Sequence, residues 1–272
     1  LITDPRYTAQ AGIEAPAFTV VDWRAAGGSV AKAVAQILKE QKLHSVAFEA
    51  DALSFNEYRA LQAAADAELV PAEGVIEALR SVKTPQEIEY LRAACEISCR
   101  AFYRILEDIR VGVTEKELAA KLSSYMVFEG ADTQPYGNIL ISGPNTSLLH
   151  GIPSDRAIQY GDFVLMDYGC QFNGYMSDMT RTVVAGKANS RQKEVYGLEQ
   201  RMLEDSLAVM KAGAKCGDVY EASIQAIKDT EYFPCHYGGI GHGVGLFVHE
   251  VPFIRKGAED VYTENVVTTI EP

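Results

Sequence analysis

The apolar residues of this chain fall into short blocks of helical or strand spacing. Val30, Ala33, Val34, Ile37 and Leu38 share one face of a helix predicted over 29–42. Ser45–Ala50 reads as a buried strand, residues 55–67 as a second amphipathic helix, and Glu68–Pro71 as a short strand. Alternating helices and strands imply a small α/β layer structure. Further on, Thr84-Pro85-Gln86-Glu87 places Thr at the N-cap, Pro at the first helical position and Glu at the third, which is a capping box. The helix it opens runs to about Ile109, and the domain boundary falls just ahead of it, dividing residues 1–80 from 81–272. Thr114 and Glu117 open another helix by the same device, and helices are expected near 190–211 and 217–229. No internal repeat is legible.

Between these helices lies a hairpin. Gly161–Cys170 is a short apolar strand with polar residues at its end, and Tyr175–Val184 is its partner. Asn173-Gly174 joins them, and a type I′ turn needs positive φ at both central positions, which these residues tolerate. With that pair as the loop, Phe172 faces Tyr175 and Gly169 faces Asp178. Asp167 then shares a face with Asp178 as its diagonal neighbour, roughly 7–8 Å away. Gly169 opposite Asp178 is expected to leave room for an ion. Two carboxylates so close repel unless a cation or a proton sits between them. The plain structural alternative is a pair of exposed aspartates on a solvated face.

Downstream, residues 236–250 read His-Tyr-Gly-Gly-Ile-Gly-His-Gly-Val-Gly-Leu-Phe-Val-His-Glu. His242 stands between glycines, which permit close approach, and His249 follows beside Glu250. One imidazole can bind a metal while the other contacts substrate or carries a proton. His44 reads as structural, and His236 reads equally well as structural or functional. The glycine run is not a phosphate loop, because no Gly-Lys-Ser/Thr follows it. Nor does it sit between a strand and a helix as a dinucleotide fingerprint would. Two aspartates, one histidine and the glutamate of Thr-Ile-Glu271-Pro272 make an oxygen-rich set that suits a hard divalent cation.

Composition narrows the field. With 47% hydrophobic and 23% charged residues the chain has an ordinary globular make-up. A net charge of −12 and the lack of a basic stripe disfavour nucleic acid as a partner. No apolar run approaches the length of a membrane span, so no membrane partner is expected. Cys95, Cys99, Cys170, Cys216 and Cys235 form no Cys-x-x-Cys pair, and their scatter fits a reducing cytoplasm. Cys95 and Cys99, four apart on one helix, read as core neighbours.

Taken together, Met-Asp167-Tyr-Gly, Gly-Tyr-Met-Ser-Asp178-Met-Thr-Arg, Gly-His242-Gly-Val-Gly-Leu-Phe-Val-His249-Glu and Thr-Ile-Glu271-Pro resemble the pita-bread metallopeptidase family. Its members include Xaa-Pro dipeptidase, aminopeptidase P, methionine aminopeptidase and creatinase, and the likeness is nearest to the Xaa-Pro dipeptidases. The resemblance implies an α+β protein with a small creatinase-like α/β domain over 1–80 and a pita-bread catalytic domain over 81–272. It implies two divalent ions, Mn²⁺ by first choice with Co²⁺ or Fe²⁺ as alternatives. Asp167 would bind one metal and Asp178 would bridge both. His242 and Glu271 would bind the second metal, with Glu271 also the general base. His249 would contact the scissile carbonyl, and His150, in Leu149-His-Gly-Ile-Pro, would contact substrate and shuttle protons.

The implied substrate is a proline-containing dipeptide or short peptide, and the implied assembly is a homodimer. The resemblance leaves dipeptidase and aminopeptidase both open. Three departures stand out. The family's second bridging glutamate would lie beyond Pro272; Phe247 replaces a residue that is often polar or acidic; and the chain reads as clipped at both ends. The rival readings are a metal-free relative acting as a peptide-binding module and a creatinase-like amidinohydrolase. Retention of all four expected ligands argues against both.

Overall fold

The structure, a computed structural model, describes residues 1–134 and 136–272, in two units, Leu1–Val75 and Ile76–Pro272. In the first unit, β1 (Ile2–Thr3) is followed by α1 (Thr8–Glu14) and pairs in parallel with β2 (Val21–Asp22). α2 (Val30–Glu40) begins where Ser29 accepts a hydrogen bond from the Lys32 amide, and it buries Ala33 and Leu38. β3 (Ser45–Glu49), α3 (Phe55–Ala64) and β4 (Glu68–Ala72) form a parallel strand–helix–strand unit, and α3 is opened by a capping box of Ser54 and Glu57. β3 is not the buried strand expected from its composition, since only Val46 and Phe48 are half-buried. A strand reads as wholly buried when layers cover both faces; along β3 burial alternates, so Ser45, Ala47 and Glu49 lie on an uncovered face.

The second unit carries the candidate site. α4 (Val75–Ser81) leads into α5 (Pro85–Ile105), which is opened by the Thr84–Glu87 capping box. α5 presents Leu91, Ala94, Ile97, Ser98, Ala101 and Ile105 to the core at helical spacing. It ends four residues short of expectation, where amide bonds from Glu107 and Asp108 reach back only three residues and tighten the last turn. Cys95 falls one position off the buried stripe and is exposed, while Cys99 is half-buried, so the two are not core neighbours. α6 (Glu115–Phe128) is capped by Thr114 and Glu117 and packs Leu118, Leu122 and Met126 beside α5. Both helices lie on a three-stranded antiparallel sheet. Its strands are β5 (Ile139–Ser142), β6 (Phe163–Tyr168) and, beyond the short pair β7 (Gln171–Phe172) and β8 (Tyr175–Met176), β9 (Met179–Val184).

α7 (Ser190–Val209) starts at an Asn189–Gln192 capping box that the sequence reading passed over. α8 (Cys216–Ile224) ends earlier than the expected 229 and packs Val219 and Tyr220 on β10 (Gly239–Gly243) and β11 (Glu250–Arg255), an antiparallel pair. No helix among the described residues is long and apolar enough to cross a membrane.

The hairpin register is as the turn predicts. Phe172 faces Tyr175, with Asn173 at φ 48° and Gly174 at φ 84°. Asp167 faces Thr180 and Tyr168 faces Met179 in the same register. The second strand is broken at Ser177 and Asp178, however. The Ser177 hydroxyl takes a hydrogen bond from the Cys170 amide (3.0 Å) and lies 2.7 Å from the Ser98 hydroxyl on α5. That buried link fixes the kink from which Asp178 projects.

Candidate metal centre

Four segments converge on one end of the second unit. Asp167 comes from the end of β6 and Asp178 from the kink before β9. His242 lies on β10, and Glu271 lies on a stretch running alongside β10, where the amides of Thr269 and Glu271 donate to the carbonyls of His242 and Ile240 (2.8 Å each). His242 Nε2 is 3.0 Å from Glu271 Oε1 and 3.5 Å from Asp178 Oδ2. Ligand atoms of Asp178, His242 and Glu271 all lie within 4.8 Å of one another. Asp167 lies outside that trio, at the end of β6, where the charge of Glu271 still acts on it. His242 Nδ1 is 3.0 Å from the Gly243 carbonyl. As an N–H donor there, it leaves Nε2 facing the carboxylates, the usual arrangement of a metal-ligating histidine.

The electrostatics fit a cation. Burial and the negative charge of Glu271 push Asp167 up to about 6. Burial, Glu271 and Asp167 together push Asp178 up to about 7. Burial works against a charged His242, but its contacts with Glu271 and the Gly243 carbonyl outweigh it and raise its pKa. Burial likewise raises Glu271, yet hydrogen bonds from His242 and Thr269 hold it below the ordinary carboxylate value. Like charges gathered at this depth need protons or a counter-ion. Three carboxylates and one imidazole form a donor set that a divalent cation fits.

His249 stacks near His242, with ring centroids 4.3 Å apart, and partial desolvation and the neighbouring His242 lower its pKa. His150 is exposed on the loop that follows the 3₁₀ turn over Gly143–Ser147. His236 lies apart, 3.1 Å from the Tyr220 hydroxyl.

The glycines pack rather than cradle. A Cβ on Gly241 would lie 2.3 Å from the Thr269 carbonyl oxygen, and one on Gly243 would lie 2.2 Å from that of Val251. Gly169 does not leave the expected room for an ion. A Cβ there would lie 1.9 Å from the Ser177 carbonyl oxygen and 2.1 Å from the Tyr136 hydroxyl, so backbone and tyrosine fill the space.

Tyr136 is one of three features that the sequence reading missed. Its hydroxyl donates to the Ser177 carbonyl (3.0 Å) and lies 3.4 Å from Asp178 Oδ1. Nothing local to Tyr136 signals this, because its partners lie some forty residues away. Thr269 is the second. Its hydroxyl donates to Glu271 Oε1 (2.7 Å), and its place two residues before Glu271 on an extended stretch could have revealed it. The third is a buried ion cluster. Glu250 is paired with Arg80 and, at 3.1 Å, with Lys83, whose side chain is 1% exposed. Glu250 also accepts the Phe247 amide (3.1 Å), and Arg80 lies over the Phe247 ring at 4.4 Å. The turn leading to His249 is thereby fixed from inside.

Comparison with known proteins gives the family. The sequence model of metallopeptidase family M24 matches residues 89–272, and that of the creatinase/prolidase N-terminal domain matches residues 1–82. The chain belongs to metallopeptidase family M24. Its fold is accordingly a creatinase-type N-terminal domain and a pita-bread domain, and membership carries peptide hydrolysis with the use of divalent metal. It is similar to the Xaa-Pro dipeptidase of Pyrococcus furiosus, 38% identical over 200 residues that cover 74% of this chain and 58% of that protein. Among solved structures, the Xaa-Pro dipeptidase from Bacillus anthracis superposes with a TM-score of 0.94 at 34% identity, covering 100% of this chain and 76% of that one. The X-Pro aminopeptidase from Thermotoga maritima gives 0.92 at 34% identity, covering 99% and 76%. Relatives named as peptidases do not favour the binding-module or amidinohydrolase readings.

Proposed function

We propose that this M24 chain hydrolyses the peptide bond before proline, in Xaa-Pro dipeptides or at Xaa-Pro N-termini, with a pair of divalent ions held by Asp167, Asp178, His242 and Glu271. The observation that carries the reading is the grouping of the Asp178 and Glu271 carboxylates with the His242 imidazole, with Asp167 on the paired strand and the two aspartates pushed up to about 6 and 7. The names of the relatives support the proline preference. Mn²⁺ is the first choice of ion, with Co²⁺ or Fe²⁺ as alternatives, since the donors are mostly carboxylate oxygens. When bound, such ions supply an acidified water and a Lewis acid for the carbonyl.

The remaining work falls to side chains. Glu271 accepts a proton from the attacking water as its oxygen bonds to the carbonyl carbon, and the Thr269 hydroxyl on Oε1 orients that carboxylate. His249 and His150 donate hydrogen bonds to the substrate as charge grows on the carbonyl oxygen. The C–N bond then breaks, and the leaving proline nitrogen takes up the proton held by Glu271. Free, unpaired cysteines fit a reducing cytoplasm, where we place the enzyme as a homodimer; sedimentation of the purified protein tests the assembly.

The deciding assay strips metal with a chelator and restores Mn²⁺ or Co²⁺. Turnover is then measured on Xaa-Pro dipeptides beside Xaa-Pro-Xaa peptides. Cleavage of dipeptides alone assigns a dipeptidase, and cleavage of the longer peptides assigns an aminopeptidase. Failure to cleave either with metal restored would overturn the reading.

A further inference from the structure

We infer that Glu115 is a positioning residue, whose buried carboxylate fastens both ends of the loop between Ser142 and Ser154 and thereby sets the position of His150, the exposed histidine that the loop carries. The inference rests on the reading of His150 as a substrate contact.

Glu115 is the first residue of α6 and is 0% exposed. A carboxylate at that depth needs compensation. No Lys or Arg pairs with it among the described residues; Arg156 pairs instead with Asp162 and feels Glu115 only at a distance. Its compensation comes from five donors, divided between its two oxygens. Oε1 accepts from the Ser142 amide (2.7 Å), the Ser142 hydroxyl (2.9 Å) and the Asn145 side-chain amide (3.1 Å). Oε2 accepts from the Ser154 amide (3.0 Å), the Ser154 hydroxyl (2.7 Å) and, as the second arm of the Asn145 bond, the Asn145 side-chain amide (3.3 Å). Burial pushes the Glu115 carboxyl up, but these hydrogen bonds outweigh it and hold it below its ordinary value.

An acidic residue in the first turn of a helix commonly serves that helix's own free amides. Here the Thr114–Glu117 pair already does so. The donors to Glu115 all belong to the loop instead, Ser142 and Asn145 at its start and Ser154 at its return.

The sheet register explains why the loop needs such a fastening. β5 runs antiparallel to β6, so Ile139 lies opposite Asp167 while Ser142 lies opposite Val164. The chain leaves β5 at the end remote from Asp167 and then doubles back, so that Ser154 returns to Glu115 beside Ser142. It does so through a reversal at Gly143 (φ 53°) and a 3₁₀ turn over Gly143–Ser147. Gly151 then packs so closely on Ile141 that a Cβ would come within 2.8 Å of the side chain. His150 itself is exposed. The amide of Gly151 bonds only to Leu148 within the same loop (3.2 Å). The position of His150 is therefore set by where the two loop ends are held. A misplacement of about 1 Å at a reacting group can cost about 100-fold in rate.

A double-mutant cycle on the metal-loaded enzyme tests this, with Glu115→Gln, His150→Ala and their combination. Gln keeps the shape but turns an N–H₂ toward donors. We expect Glu115→Gln to lower kcat/KM by about 10- to 100-fold, with bound metal unchanged. The double variant should be no worse than His150→Ala alone, to within about twofold. Amide exchange in the metal-free protein should quicken over 143–153 and stay unchanged over β6. If Glu115→Gln does not fold, Ser154→Ala, which removes one donor, takes its place in the cycle with a smaller loss. Losses that multiply in the double variant, or loop exchange equal to the parent's, would overturn the role of Glu115 while leaving His150 in place. Parental turnover in His150→Ala would remove the substrate role of His150 and the inference with it.

Discussion

Asp178 is held where a negative charge is costly. Its side chain is 8% exposed, and Glu271 and Asp167 lie close by. Replacement by Asn removes the charge and keeps the shape, so its effects on stability and on turnover should have opposite signs. The metal-free Asp178→Asn protein should be more stable than its parent at pH 8 by about 2–4 kcal/mol, the cost of ionising a carboxyl pushed up to about 7. Metal-dependent turnover should vanish. Urea denaturation with chelator, run beside the peptide assay, reads both, and a destabilised or fully active variant would refute the bridging role. Gly169 makes a second test. With backbone and the Tyr136 hydroxyl already in its Cβ position, Gly169→Ala should cost about 3 kcal/mol, as measured by thermal unfolding.

The elements divide into those that local rules determine and those that distant partners determine. The capping boxes at Thr84 and Thr114 are local, and they start α5 and α6 where the sequence places them. The Asn173-Gly174 turn is local too, and once its two φ angles are positive the register that sets Phe172 opposite Tyr175 and Asp167 opposite Thr180 follows. Four of the site side chains stood out for the same reason, because ligand residues among glycines or at strand ends have no routine structural use. What was illegible depends on groups far apart in sequence. Tyr136 fills the space expected for an ion, β3 lacks a cover on one face, and Glu115 is buried by a loop rather than by its own helix.

The Glu250 cluster belongs with these. Arg80 and Lys83 meet a carboxylate some 170 residues downstream, inside the turn that carries His249. Breaking a buried pair leaves a bare charge and costs more than the pair itself contributes. Lys83→Met should therefore destabilise the protein by about 3–5 kcal/mol. Chemical denaturation gives the number, and a change below about 1 kcal/mol would place the pair among weak surface contacts.

Over the whole molecule, the acidic cluster sets a pH dependence. A carboxyl whose folded pKa lies above its unfolded value binds more protons in the folded state, so stability falls as pH rises between the two. For Asp167 and Asp178 that window runs from 3.8 to about 6 and about 7. The raised pKa of His242 acts in the same direction, its contribution being lost as pH climbs through the folded value. Glu115, Glu250 and Glu271 have lowered values and act oppositely below the ordinary range of about 4.5, and the lowered values of His249 and His236 act oppositely below 6.5, offsetting part of the larger shifts of the two aspartates. The chelated protein should thus weaken steadily from pH 4.5 to 7.5 in denaturant titrations. Asp178→Asn should flatten the slope, and stability that rose across this range would contradict the clustering.

The hydrogen bonds that bind Thr269 and Glu271 to β10 set two expected ligands on one rigid ribbon, while the hairpin of Asp167 and Asp178 supplies the others. A cation between them is a clasp across more than a hundred residues of chain. Saturation far above its dissociation constant is worth about 4 kcal/mol at a thousandfold excess. Cells starved of that ion would hold the protein unclasped and open to proteases, so its abundance should follow metal supply even when its synthesis does not change.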